Sequence, residues 1–226
     1  MSASADRELR TLTEIRRPRR GSKARTLYLD GEAWRTVPVE VVRELGIGQG
    51  DLLDPAELVE SEARLAPRFA RERAYRLLAY RERSAEEIAQ RLAEDGYDEA
   101  LVRATVDDLV RSGLVDDERY ARMIVRQLVA ARGFGRQRAL RELSRRGVHA
   151  DLASALLEEF APEEGEAVRA RTRAAGLVRP GDSVARLASR LVRRGYSTAA
   201  ALRAAQEQLA AEGDDEDAYD GVTDDE

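Results

Sequence analysis

Nine arginines and one acid occupy the stretch from Arg119 to Arg146. The arginines are Arg119, Arg122, Arg126, Arg132, Arg136, Arg138, Arg141, Arg145 and Arg146; the acid is Glu142. Guanidinium groups carry a fixed charge and a planar fork of donors, so this composition suits the holding of anions, phosphates above all. On a helix, Arg119, Arg122 and Arg126 share an arc of about 60°, turned away from Tyr120, Ile124, Val125 and Leu128. Arg138, Arg141 and Arg145 share a second arc of roughly 60°, opposite Ala139, Leu140 and Leu143. A further basic face carries Arg186, Arg190, Arg193 and Arg194, opposite Leu187 and Leu191. Solvated helices usually mix signs to gain i,i+4 pairs, and here the acids are nearly absent. The pattern reads as a surface for a nucleic-acid backbone; a face that serves only solubility is the plainer alternative. Phe134, flanked by Gly133 and Gly135 inside this field, is the aromatic placed to stack on a base.

Other chemistry has little material. The chain has no cysteine, which removes thiolate catalysis and cysteine-ligated metals. Its one histidine, His149, sits at a turn between helices and reads as a helix-entry residue. The carboxylate pairs Asp116-Asp117, Glu158-Glu159 and Glu163-Glu164 fall at helix ends with no histidine or cysteine to complete a metal or nucleophile site. Trp34, Tyr97 and Tyr196 read as packing residues. No catalytic residue, metal ligand or cofactor is therefore expected. No apolar run reaches the length of a membrane span, and MSASADRELR lacks the apolar core of a signal peptide. A cytoplasmic protein without a membrane partner is the expectation.

The elements that must position the arginines are mostly helices. Charged residues are 36% and aromatics 5% of the 226-residue chain, whose charge is segregated. Residues 1–63 carry 10 basic and 12 acidic groups, residues 64–209 carry 28 and 22, and residues 210–226 carry nine acids and no base. A pI near 5.3 thus conceals a basic body. Residues 1–23, with Arg16-Arg17-Pro18-Arg19-Arg20, read as a flexible basic segment. Residues 24–65 read as a small α+β module: a hairpin around Asp30-Gly31, a short helix from Pro38 to Leu45, and a short strand at Asp51 to Leu53. Asp54-Pro55 starts the next helix, and Pro67 is expected to break it. The tail, residues 212–226, reads as disordered, and its acids could solubilise the body or cover its arginines as a DNA mimic.

Three helix ends share the pattern Leu-x3-Gly-apolar: Leu92 to Tyr97, Leu143 to Val148 and Leu191 to Tyr196. The spacings are 51 and 48 residues, and small or apolar residues return at Val102 and Val106, Ala153 and Leu157, Ala201 and Ala205. This is the mark of tandem three-helix repeats, with glycine supplying a left-handed cap. The repeats are placed at 66–132, 133–178 and 179–211, in an elongated array. In the first, Glu86, Glu87, Gln90 and Glu94 occupy the face that is basic in the others.

These residues resemble the bacterial RecX regulatory family. The matching pieces are Arg83-Ser84 with Ile88 and Leu92, Gly96-Tyr97, then Gly113-Leu114-Val115-Asp116-Asp117-Glu118-Arg119-Tyr120-Ala121. Gly135, Glu142-Leu143, Gly147-Val148 and Leu191 to Tyr196 complete them. The resemblance covers about Ala66 to Leu209 and, more weakly, the N-terminal module. It implies three tandem three-helix repeats, binding to the RecA recombinase filament on DNA, and inhibition of its strand exchange and ATP hydrolysis. A monomer that meets single- or double-stranded DNA through its basic surface is the expectation. The acidic extension after Leu209 and Ala139, where a branched residue is usual, depart from the family pattern. An autonomous helical DNA- or RNA-binding module and a protein scaffold are the alternatives.

Overall fold

A computed structural model describes residues 8–219, with side chains through Ala211. Four strands, β1 (Arg10–Arg16), β2 (Ala24–Leu29), β3 (Glu32–Pro38) and β4 (Leu52–Leu53), pair antiparallel in the order β3-β2-β1-β4. The expected hairpin is β2–β3. Asp30 and Gly31 both take positive φ, 52° and 87°, which matches a two-residue turn to the twist of its strands. β1 corrects the expectation of a loose segment over residues 1–23. Leu12 is fully buried with Leu27 and Leu29, and Arg10 pairs with Asp30 at 2.8 Å. A bulge between Leu12 and Glu14 breaks the period-two alternation that would have revealed the strand.

After α1 (Val39–Leu45), which ends on Gly46 at φ 63°, comes the long helix α2 (Pro55–Tyr80). Asp54 caps it by accepting the Ala56 N–H at 2.9 Å, with Pro55 in the first turn. The expected break at Pro67 does not occur. Pro67 and Ala63 both lie on the exposed face, where the carbonyl that proline leaves unbonded is open to solvent. Leu58 joins the core of the sheet and Glu62 reaches Arg35 of β3 at 2.6 Å. Further along the same helix, Ala66, Phe69, Ala70 and Ala74 pack with α3 (Ala85–Glu94) and α4 (Glu99–Arg111). The expected boundary at residue 65 therefore runs through the middle of one helix that sheet and first repeat share.

A second compact unit begins at Asp117. Helix α5 (Asp117–Arg126) widens into a π-turn over Gln127–Ala131, where the Arg132 N–H reaches the Gln127 carbonyl at 3.1 Å. With α6 (Arg136–Ser144) and α7 (Ala150–Phe160) it closes a core of Tyr120, Val125, Leu128, Ala139, Leu143 and Leu157. A 3-10 turn at Glu163–Gly165 leads to α8 (Glu166–Ala175), α9 (Val184–Arg193) and α10 (Thr198–Tyr219). These bury Ala170, Leu187, Leu191, Ala201 and Ala205 together.

The repeats are thus α2–α4, α5–α7 and α8–α10, so the boundaries expected at 132 and 178 lie one helix late. Periodicity gives the repeat length; only side-chain burial gives its phase. The shared signature marks the end of each second helix. There Tyr97, Val148 and Tyr196 donate N–H bonds to Leu92, Leu143 and Leu191 carbonyls at 3.2, 3.1 and 3.3 Å. Gly96, Gly147 and Gly195 stand between at φ 92°, 73° and 93°. This is the six-to-one helix stop, whose leucine and final apolar residue come into contact and explain the spacing. α10 extends to Tyr219, past residue 211, the expected end of the third repeat, where the disordered tail is expected to begin; the side chains from Glu212 and the backbone beyond Tyr219 lie outside the described residues.

Candidate nucleic-acid interface

All thirteen arginines singled out from the sequence fall in the second unit, from Asp117 onward. The core residues expected behind them are buried: Tyr120, Ile124, Val125 and Leu128 on α5, Ala139 and Leu143 on α6, Leu187 and Leu191 on α9. On α6, Leu140 is only partly buried, and on α9 two members of the expected basic face, Arg190 and Arg194, are themselves partly buried. What sequence could not give is which arginines already have a partner.

Four are committed to carboxylates, and two more, Arg138 and Arg194, give one donor to a backbone carbonyl. Arg122 forks between Glu118 and Glu159 at 2.8 to 3.1 Å, and those bonds raise its pKa. Arg136 pairs with Glu158 at 3.0 Å, and Arg145 reaches Glu142 at 3.5 Å. Arg190, 16% exposed, is bound to Asp182, 7% exposed, which also accepts the Arg179 N–H at 2.8 Å. Arg190 thereby holds the entry of α9. Arg194, half-buried, donates to the Arg132 carbonyl at 3.3 Å and has no carboxylate partner among the described residues. Arg119 and Arg146 also have partners.

The others are available. Arg126, Arg132, Arg141, Arg186 and Arg193 are exposed, and none has a carboxylate partner among the described residues. Arg126 lies over the Phe160 ring at 5.2 Å, which holds its side chain without spending its charge. In the first repeat the same faces are neutralised: Glu87 is taken by Arg81 and Arg83, and Glu94 by Arg91 at 3.0 Å, leaving Glu86 and Gln90 exposed.

Phe134 corrects the stacking expectation. It is 9% exposed, part of the α5–α7 core, and capped by the Arg138 guanidinium 4.0 Å from the ring centroid. A ring already covered by a cation has no free face for a base.

The glycines around Phe134 have another task. The Gly135 N–H donates to the Arg194 carbonyl at 2.8 Å, and the Gln137 N–H to the Gly195 carbonyl at 3.2 Å. The otherwise unpaired donors that open α6 are thus satisfied by the carbonyls that close α9. Positive and negative helix ends meet, which is electrostatically favourable. A Cβ on Gly135 would come within 2.3 Å of Gly195, and one on Gly195 within 2.4 Å of the Arg138 nitrogen, so neither position tolerates a side chain.

Sequence reasoning missed Arg173. It lies on α8, half-buried, with its aliphatic stem against Gly133, where a Cβ would approach its Cδ to 3.0 Å. Burial first, then the charges of Arg173 and Arg138, lower the pKa of Arg194. Three guanidinium groups therefore crowd one junction. Spacing alone carried no sign of it, since α8 lacks the repeat signature. His149 is exposed at the N-cap of α7, and Trp34 packs partly buried on the sheet core, as the sequence indicates. Among the described residues there is no acid or histidine group able to hold a metal, and no helix long and apolar enough to cross a membrane.

Fold and surface define a class: tandem three-helix repeats that follow a small sheet in the chain, with arginine-rich surfaces from Asp117 onward. Residues 70–109 match the family description "RecX, first three-helix domain" and residues 116–157 "RecX, second three-helix domain", placing the repeat boundary where the cores do. The chain belongs to the RecX family of regulatory proteins. It is 39% identical to "Regulatory protein RecX" of Halorhodospira halophila over 159 residues, 69% of this chain and 96% of that one. It is 38% identical to the protein of the same name from Mycobacterium sp. (strain KMS), over 61% of this chain and 80% of that one. Of solved structures, "Crystal structure of regulatory protein RecX" aligns with TM-score 0.54 at 23% identity, over 85% of this chain and 97% of that one. RecX from Lactobacillus salivarius aligns with TM-score 0.55 at 19% identity, over 64% and 97%. These two likenesses bear on the fold.

Proposed function

We propose that this protein binds the RecA recombinase filament on DNA and restrains its ATP hydrolysis and strand exchange in recombination, repair and the SOS response. It acts as a cytoplasmic monomer without catalysis of its own. The observation that carries this reading is the charge asymmetry between repeats. Arg126, Arg141, Arg186 and Arg193 are exposed without carboxylate partners in the second unit, while in the first repeat most arginines are paired, among them Arg81, Arg83, Arg91, Arg103 and Arg111, and only Arg64 and Arg71 lack a carboxylate among the described residues. Unpaired guanidinium groups release counterions on meeting a polyanion, which gives affinity without base sequence. Bound along a filament, such a face competes for the backbone that strand exchange must move. Membership of the RecX family of regulatory proteins supports RecA as the partner.

The direct test is DNA-dependent ATP hydrolysis by RecA with the protein added in increasing amounts. A falling rate supports the reading. An unchanged rate, together with salt-dependent DNA binding by the protein alone, would favour an autonomous nucleic-acid module.

A further inference from the structure

The crowding of arginines at the junction of α5–α7 with α8–α10 is the least explained feature of the second unit. Arg138, Arg173 and Arg194 have no carboxylate partner among the described residues. The Arg173 Nε is buried and has no hydrogen-bond acceptor. A buried donor without acceptor is uncommon in a folded protein and marks a place where an anion would be welcome. Glu166, the acid that acts on the neighbouring Tyr196, is held by Ser197 through its N–H at 3.1 Å and its hydroxyl at 2.6 Å. It does not serve the arginines. Beside Arg173 opens a cavity of about 270 Å³, walled by Val129, Ala130, Phe134, Val168, Thr172 and Tyr196. Its lining combines these apolar and aromatic side chains with Arg169 and Arg173.

Resting on the reading of this face as a nucleic-acid surface, we propose that the junction is a nucleotide site for single-stranded nucleic acid. Arg173, with Arg138 and Arg194, binds one backbone phosphate, and the attached base turns into the cavity beside Tyr196. A bound phosphate supplies the missing acceptor to Arg173 and lessens the repulsion from Arg173 and Arg138 that adds to burial in depressing Arg194. Size and chemistry agree, since a planar base needs an apolar slot and a phosphate needs charge-assisted donors. A duplex keeps its bases stacked and cannot fill the slot. Gly133, at φ 59°, is what leaves room for the Arg173 stem.

The site is tested with the full chain by fluorescence anisotropy at low salt, using an oligothymidylate, the same strand with abasic sugars, and a duplex of equal length. Arg173→Gln keeps the aliphatic stem and removes the charge; Ala130→Phe fills the cavity and keeps all three arginines. Arg173→Gln is expected to weaken the oligothymidylate and the abasic strand by about tenfold each, the loss of one charge-assisted contact. Ala130→Phe should weaken only the base-bearing strand, bringing it level with the abasic one. Thermal midpoints near the parent's establish that both variants fold, and Arg173→Lys should recover part of the lost affinity. Equal affinity of parent and folded Arg173→Gln for every probe would overturn the phosphate site, and indifference of Ala130→Phe would overturn the base slot. Failure here, with Arg126→Glu still weakening DNA binding, removes this inference alone. A parent that binds none of the three probes removes the nucleic-acid reading beneath it.

Discussion

Gly135 and Gly195 meet backbone to backbone, sixty residues apart in sequence and with no space for a single methyl group between them. The contact joins the second repeat to the third and sets the start of α6 against the end of α9. It also positions the arginines that flank it, since Arg138 follows one glycine and Arg194 precedes the other.

Gly195→Ala should therefore cost more than its backbone angle alone explains. Left-handed strain accounts for about 1–2 kcal/mol, and forcing two backbones apart adds a further 1–3 kcal/mol or so. Gly181, in the same unit, has a similar angle of 73°, but an added methyl group there would meet nothing within 4 Å, so Gly181→Ala shows the angle term alone. Urea denaturation of the two variants separates the terms. Equal midpoints would mean that the helix ends move apart freely.

The arginines should sort by partner, not by position along the helix. Arg126→Glu combined with Arg141→Glu should weaken DNA binding and flatten the slope of log affinity against log salt by about one unit per lost contact. Arg122→Ala, one helical turn from Arg126, should leave that slope unchanged, because Glu118 and Glu159 already occupy its charge. A slope that responds equally to both would show that the internal pairs open when DNA arrives.

Arg190 belongs to stability. Arg190→Ala leaves Asp182 buried without its cation, a change that costs about 3–5 kcal/mol. The exposed neighbour Arg186, replaced by alanine, should shift stability by no more than about 0.5 kcal/mol. Paired urea curves decide; equal shifts would return Arg190 to the surface cations.

Much of the fold was legible because its signals are local. The helix stop at Leu92-to-Tyr97, Leu143-to-Val148 and Leu191-to-Tyr196 is written within six residues each, and so is the Asp30-Gly31 turn. β1 was not legible, because its bulge breaks the alternation that identifies a strand. Pro67 misled because its effect on a helix depends on whether the freed carbonyl faces water. The site was legible as a composition and not as a constellation. Glu159 lies 37 residues from Arg122 and Arg193 lies 55 from Arg138. Contacts at that range follow from packing, and Arg173 enters the site only through the space that Gly133 leaves.

Glu62 offers a check on the seam between sheet and first repeat. Burial raises its pKa above the ordinary 4.5, more than Arg35 at 2.6 Å lowers it. Between 4.5 and the raised value the folded state holds a proton that the unfolded state has released. Stability at this site is thus fully present below the unfolded pKa and falls as pH rises through the folded one. Glu62→Gln removes that dependence, so its stability relative to the parent should grow as pH climbs from 4 toward neutrality, a range set around the reference glutamate pKa of about 4.3. Denaturation midpoints that diverge the other way would mean that the pair with Arg35 outweighs burial.

The π-turn at Gln127–Ala131 bears on chain length. A π-turn holds one residue more than the α-helical turn it replaces, so deleting Ala130 would let the helix close up as ordinary α-helix. The shorter turn completes the same circuit, so the chain after it would keep its direction from the core behind Tyr120, and Gly135 would still arrive at Gly195. In an unbroken α-helix the same deletion would swing everything downstream by about 100° and draw it back by about 1.5 Å. Along the chain, this turn is where the loss of one residue is absorbed.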